Sequence, residues 1–71
     1  MDMSLLIREV PTVDAPLDLL LLADPSEEKI RSYLAQSRCF VASNNGVVAG
    51  ACAVQQLEPG VHELMCIAVH P

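Results

Sequence analysis

The most continuous apolar stretch near the carboxyl end covers residues 64–69, where the only polar side chain is the thiol of Cys66. A strand with one solvent-exposed face alternates apolar and polar residues, so an unbroken apolar run predicts a strand covered on both faces. Pro71 closes the stretch, and His70, which precedes this proline, is biased toward extended geometry. We therefore predict a final strand within residues 61–71, and the rest of the chain is interpreted around it.

A short first helix is predicted after the amino-terminal segment. Asp14 is able to cap its start, and Pro16 is tolerated in the first turn, where its missing N–H leaves no hydrogen bond unmade. Leu17, Leu20 and Leu21 then fall on one face at helical spacing. This helix is expected to end near residue 24.

The strongest helix signal is the sequence of residues 24–27, Asp-Pro-Ser-Glu. It predicts Asp24 as the N-cap, proline at the first helical position and a capping box completed by Glu27. Ile30, Tyr33 and Leu34 form the predicted buried stripe, with Lys29, Arg31 and Ser32 toward water. The second helix is expected to run to about residue 37.

The remaining segments predict strands joined by tight turns. A first strand covers residues 5–10, and a second begins at Cys39. Asn45-Gly46 between apolar runs is a strong hairpin signal, because both residues accept positive φ. The returning strand covers residues 47 to about 56, and Pro59-Gly60 forms the turn into the final strand. The predicted order is strand, helix, helix and then a three-stranded meander, which is an α+β arrangement.

Length and composition limit the possible folds. A chain of 71 residues forms one small domain, and such domains bury only about 60% of the surface of the unfolded chain. Hydrophobic residues nevertheless make up 52% of the sequence, a high share for a chain with so much exposed surface. We therefore expect this sequence to be part of a larger fold or to bury surface against a partner.

Charge and cysteine content exclude several classes of function. The formal net charge is −5 with only four basic residues, which argues against nucleic-acid binding. The leucine run at residues 19–22 is too short to span a membrane, and no signal peptide is predicted. Three cysteines without C-x-x-C spacing do not suggest a disulfide framework or a zinc knuckle, so a cytoplasmic protein is expected.

The sequence of residues 63–71, Glu-Leu-Met-Cys-Ile-Ala-Val-His-Pro, resembles the fourth strand of the GNAT superfamily of acetyl-CoA-dependent N-acetyltransferases. In that family an L-x-x-I-A-V-x-P strand leads into a Gln/Arg-x-x-Gly-x-Gly/Ala loop that holds the cofactor's pyrophosphate. The hairpin sequence Asn-Gly-Val-Val-Ala-Gly at residues 45–50 is also similar. The resemblance implies that residues 1–71 form a partial GNAT domain, the amino-terminal β-α-α-β-β-β half, ending before the pyrophosphate loop.

The same resemblance implies a function and a site. The function is transfer of an acetyl group from acetyl-CoA to a primary amine of a small molecule or peptide, with residues 1–71 expected to be inactive alone. In the family the pantetheine arm pairs with main-chain groups of the fourth strand, which here implies Ile67, Ala68 and Val69. One N–H faces the thioester oxygen, where it stabilises developing negative charge.

Glu63 is the candidate general base, because a glutamate at this place serves that role in the histone-acetyltransferase branch. A base is needed since a protonated amine has no lone pair for attack. Alternation predicts Glu63 on one face with Met65, Ile67 and Val69, an apolar neighbourhood that raises a carboxyl pKa. The alternative is a solvent-exposed carboxylate at the start of a strand.

Other candidate residues have simpler alternatives. Cys66 and His70 share a predicted face, but two ligands do not make a zinc site, so Cys66 is expected in the core with the other cysteines. The resemblance suggests that Tyr33 and Phe40 line an acceptor pocket, whereas core packing is the alternative. Acidic residues of the first helical region are able to attract a cationic amine or are simply solvated: Asp14, Asp18 and Asp24.

A non-catalytic function is the rival hypothesis. A small α+β module with an exposed strand edge is able to bind a partner by adding its strand to that edge. If the fourth strand lies at an edge, its apolar character favours a homodimer or pairing with a separate carboxyl-terminal half.

Overall fold

The computed structural model describes residues 5–71, which form a four-stranded antiparallel sheet with two helices on one face. The first four residues of the predicted domain lie outside this range. In chain order the elements are β1 (Leu5–Val10), a 3-10 turn (Thr12–Asp14), α1 (Leu17–Ala23), α2 (Glu27–Leu34), β2 (Ser37–Asn44), β3 (Val47–Glu58) and β4 (Val61–Val69). The strands are adjacent in the order β1-β2-β3-β4. The predicted α+β class and order of elements are confirmed.

Both predicted turns form where the sequence places them. Asn45 and Gly46 connect β2 to β3 with φ of 53° and 82°, and Gly60 connects β3 to β4 with φ of 82°. Such positive φ values are inexpensive for glycine and tolerated by asparagine. These turns align consecutive strands as a meander, which leaves β1 and β4 at the two edges of the described sheet.

The start of α2 differs from the prediction. Ser26 is the N-cap, and its Oγ accepts a hydrogen bond from the Lys29 N–H at 3.2 Å. Asp24 instead accepts from the Ser26 N–H at 3.2 Å, as a side chain in an Asx turn does. Asp24 is therefore not the N-cap, and Glu27 lies one position after the cap instead of completing a capping box. The helix ends at Leu34.

The core lies between the helices and one face of the sheet. The predicted stripe of Ile30, Tyr33 and Leu34 is buried as expected. Helix α1 begins at Leu17 and not near Asp14; Leu19 and Leu20 are buried, and the predicted Leu17 and Leu21 are half-buried and pack against the core. The buried sheet residues are small or medium in size: Cys39, Val41, Ala51, Ala53, Cys66 and Ala68.

The opposite face of the sheet has no covering layer within residues 5–71. Ile67 and Val69 are 60% and 72% exposed there, so the prediction that β4 is covered on both faces is wrong for the described residues. An unbroken apolar run indicates that both faces of a strand are hydrophobic, but it does not show which part of the protein or which partner covers each face. Ile7 and Phe40 help to line a shallow apolar groove of about 210 Å³ on this open face. No helix in residues 5–71 has the length and apolarity needed to cross a membrane.

Candidate functional site

An irregularity in β4 marks the candidate site. Ala53 of β3 pairs with Cys66, but the next residue, Val54, pairs with Leu64. Met65 is therefore one extra residue in β4, which makes a β-bulge. Bulges are frequent next to active sites, where they redirect side chains and interrupt strand pairing. The bulge shifts the alternation of side chains along β4.

This shift changes the position of Glu63. Glu63 pairs with Gln55, which lies on the same side of the sheet as Ala53, the side that faces the helices. Ile67 lies on the open side. The prediction that Glu63 shares a face with Ile67 and Val69 is therefore wrong, because the extra residue reverses the alternation. Glu63 is exposed and has no apolar neighbourhood of the predicted kind.

The main chain of β4 offers free groups at its outer edge. The His70 N–H donates to the Ala49 carbonyl of β3 at 2.7 Å. Successive residues of a strand direct their main-chain groups to opposite edges, so Ala68 also faces β3, whereas Ile67 and Val69 face outward. Within residues 5–71, β4 pairs with β3 alone. Of the three residues predicted to contact the cofactor, Ile67 and Val69 thus present unpaired main-chain groups and Ala68 does not.

A cleft of about 430 Å³ opens beside the bulge. Its walls come from the end of α1, the α1–α2 connection, the first turn of α2 and residues 64–67 of β4. The cleft therefore contains both the bulge and part of the free edge of β4. It lies on the helix side of the sheet, which is also the side of Glu63.

Two opposite charges line this cleft. The Asp24 carboxylate lies 3.8 Å from the Lys29 ammonium, a separation too long for a hydrogen bond. The Asp24 side chain is 22% exposed and the Lys29 side chain 70%. Such a loosely associated, partly solvated pair contributes little to stability. Both groups are therefore free to exchange partners at low cost.

The hydroxyl group of Tyr33 lies near Cys66 and Asp24, two residues that line the cleft. The Tyr33 hydroxyl is buried without a hydrogen-bond partner in the described part of the chain. The Cys66 thiol, which approaches the Leu20 carbonyl at 3.9 Å, lies next to it. Burial raises the pKa of Tyr33 strongly, with further contributions from the Cys66 thiol and the Asp24 carboxylate. Tyr33 packs in the core, which is the alternative that the sequence offered, and Phe40 lies on the opposite face, so the two do not line one pocket.

The remaining candidates do not form a metal or disulfide site. His70 is exposed, and no group of three potential metal ligands exists within residues 5–71. All three cysteines are free. Cys39 and Cys66 lie in the core as expected, and burial raises the pKa of Cys39. Cys52 is only half-buried, on the open face of the sheet.

We expect Tyr33 to keep its proton until the domain unfolds in alkali. An unfolded tyrosine loses its proton at about pH 10, and the folded one only at higher pH. The contribution of Tyr33 to the free energy of unfolding is therefore fully present below about pH 10 and is lost as the pH rises above this value. Tyr33 is the only tyrosine and there is no tryptophan, so phenolate absorbance reports it alone. Tyr33→Phe should lose less stability in alkali than the wild-type chain, and phenolate formation near pH 10 in an intact fold would contradict the expectation.

Comparisons with known proteins agree with this architecture. No family model matches the sequence. The uncharacterized N-acetyltransferase YvbK of Bacillus subtilis (strain 168) is 38% identical over 58 residues, which are 82% of this chain and 37% of that protein. Among solved structures, an IAA acetyltransferase from Bacillus cereus ATCC 14579 superposes with a TM-score of 0.86 at 39% identity, covering 93% of this chain and 44% of that one.

Two further similar structures contain acetyl-CoA or CoA. A GNAT family acetyltransferase from Elizabethkingia anophelis, with acetyl-CoA bound, has a TM-score of 0.82 at 33% identity, covering 92% of this chain and 43% of its own. A Bacillus subtilis acetyltransferase in complex with CoA has a TM-score of 0.72 at 31% identity, covering 96% and 44%.

The sheet, the two helices and the sequence of β4 thus define a chain of the GNAT acetyltransferase superfamily. It corresponds to the amino-terminal half of the GNAT fold, as the sequence predicted. The chain spans less than half the length of the relatives that it matches.

Proposed function

We propose that this protein acts in N-acetyl transfer, in which an acetyl group moves from acetyl-CoA to a primary amine. The observation that carries the proposal is the free outer edge of β4 beside the Met65 bulge, where Ile67 and Val69 direct main-chain groups outward. Similar structures that hold acetyl-CoA or CoA support the choice of cofactor.

The residues of this edge suit the pantetheine arm of acetyl-CoA. That arm contains two amides, which are able to hydrogen-bond to a strand edge as an additional strand would. We assign these contacts to Ile67 and Val69, and we assign to Ala68 the role of holding β4 onto β3. An outward N–H at the bulge is also suited to stabilise negative charge that develops on the thioester oxygen.

The reaction needs a neutral amine. Its nitrogen lone pair forms the new C–N bond, the C–S bond breaks, and the departing sulfur takes the proton that the nitrogen loses after attack, which gives CoA thiol. Before attack, the ammonium form of the acceptor gives one proton to a base, which makes the lone pair available near neutral pH. We propose Glu63 for this role because its side of the sheet is also that of the cleft. The alternative, a solvated carboxylate without a catalytic role, agrees with its exposure.

Two further properties belong to the proposal. The free cysteines suit a reducing compartment such as the cytoplasm. The exposed β4 edge suits pairing with a second copy or with another chain, which is also what a non-catalytic interaction module would use.

The proposal is tested by nuclear magnetic resonance titration of the chain with S-acetylpantetheine and with acetyl-CoA. Both ligands should shift the amide signals of residues 64–69 in a saturable manner, since both contain the arm assigned to β4. Signals of Arg8 and Glu9 in β1, at the opposite edge of the sheet, serve as internal controls and should not move. No saturable shift with either ligand would overturn the proposal, and shifts that depend only on protein concentration would favour the interaction module.

A further inference from the structure

We infer that the acceptor of the proposed reaction is an α-amino acid with an apolar side chain, bound as a zwitterion in the cleft beside Met65. This inference rests on the proposed function. It is carried by the composition of the cleft, in which one carboxylate, one ammonium and apolar side chains surround the free edge of β4.

The two charges provide matching partners for a zwitterion. The cleft contains a single anionic side chain, Asp24, and a single cationic one, Lys29. Asp24 already accepts the Ser26 N–H through Oδ1, and its Oδ2 faces Lys29 at 3.8 Å without a hydrogen bond. An α-ammonium group that binds Asp24 and an α-carboxylate that binds Lys29 would each form a charge-assisted hydrogen bond. Because the existing ion pair is loose, little is lost when the ligand replaces it.

The other lining residues favour an apolar substituent. Four apolar residues line the cleft: Ala23 and Met65 on the helix side of the sheet, and Leu64 and Ile67 along the outer edge of β4. Methionine in particular adapts to ligands of different shape. The volume of about 430 Å³ is within the lower range of small-molecule sites. Leucine, methionine and similar amino acids therefore suit the cleft better than large peptides or polyanionic acceptors.

The cleft should select for a ligand with both charges, because a ligand that lacks one of them leaves Asp24 or Lys29 without a partner. A simple alkylamine would bind Asp24 but offer nothing to Lys29, and an alkanoate would bind Lys29 but bring like charge to Asp24. Loss of one charged hydrogen bond weakens binding about tenfold in a site of this kind. The amine and the carboxylate of the ligand should therefore each make a separate contribution to the binding affinity.

The test compares four ligands by the same amide titration of the chain. L-leucine has both charges and an apolar side chain, 3-methylbutylamine lacks the carboxylate, 4-methylpentanoate lacks the amine, and L-serine lacks the apolar group. L-leucine should bind at the cleft, and each of the others should bind about tenfold more weakly. Signals of Asp24, Lys29 and residues 64–67 should report the binding.

Three variants assign the contacts. Lys29→Met should abolish the preference for L-leucine over 3-methylbutylamine without weakening the binding of the amine. Asp24→Asn retains the Oδ1 that accepts the Ser26 N–H but should weaken both amines about tenfold. Arg31→Met is the matched control, because Arg31 lies on the same helix, pairs with Glu27 at 2.8 Å and does not line the cleft. It should leave the ligand preference unchanged.

The outcome separates this inference from the proposed function. If S-acetylpantetheine shifts the β4 signals while L-leucine and 3-methylbutylamine bind equally, or neither binds, the amino-acid inference is overturned and acetyl transfer stands. If S-acetylpantetheine also fails, the proposed function fails independently.

Discussion

Proline in place of Ile67 is expected to leave the domain folded and to weaken acetyl-CoA binding at least tenfold, whereas proline in place of Ala68 is expected to destabilise it. Proline has no N–H and is tolerated in a strand only where that group is not needed by the ladder. The Ile67 N–H faces outward and the Ala68 N–H faces β3, as the bond from His70 to Ala49 fixes. Ile67→Pro should therefore remove a ligand contact, worth about tenfold in affinity.

Ala68→Pro should lower the free energy of unfolding by about 3 kcal/mol, through the lost bond and the buried carbonyl left unpaired. Urea denaturation followed by circular dichroism measures stability, and amide titration measures binding. The pair of variants differs by one position in the same strand, so each is the control for the other. If Ile67→Pro and Ala68→Pro destabilise the domain equally, the Ile67 N–H is hydrogen-bonded within the sheet. If Ile67→Pro binds acetyl-CoA as the wild-type chain does, the Ile67 N–H does not contact the ligand.

Leu20→Ala is expected to lower the free energy of unfolding by about 2–5 kcal/mol. Leu20 has 0% exposure, lies at the centre of the core and contacts the layer formed by the sheet. Its truncation removes buried methyl groups and leaves a cavity that two short helices close only in part. A domain of this size has a total stability of roughly 4–10 kcal/mol, so the change consumes much of it.

Leu22→Ala is the matched control for this prediction. Leu22 belongs to the same helix and is 63% exposed, so its replacement should change stability by less than about 0.5 kcal/mol. The measurement is urea denaturation of both variants. Similar losses for Leu20→Ala and Leu22→Ala would show that α1 does not pack on the sheet as described.

Local sequence signals predicted most of the architecture. The Asn45-Gly46 turn, the meander and the stripe of Ile30 and Tyr33 depend on short-range conformational preference and periodicity, which one sequence contains. The resemblance of residues 63–71 to a GNAT strand led to the correct superfamily. These features are local, and their physical causes act within a few residues.

The bulge at Met65 could not be predicted in the same way. Residues 64–69 are apolar throughout, so no polar residue marks the point where the alternation reverses. Register is decided by pairing with β3, and the position of Glu63 follows from that register. The predicted face of Glu63 was wrong for this reason.

The cleft likewise depends on tertiary structure. Asp24 suits a helix cap by sequence alone, but Ser26 takes that role and leaves the second Asp24 oxygen toward Lys29. That these two residues meet β4 at Met65 depends on how α1 packs on the sheet. Their charges were visible in the sequence, whereas their common location was not.

Amide hydrogen exchange of β4 tests the central claim most directly. In dilute protein without ligand, the amides of Ile67 and Val69 should exchange nearly as fast as in an unstructured peptide, and that of Ala68 should be protected by β3. Saturating acetyl-CoA should slow exchange at Ile67 and Val69 and leave Ala68 unchanged. Equal protection of all three amides without ligand, or fast exchange at Ile67 and Val69 that acetyl-CoA does not alter, would contradict the account.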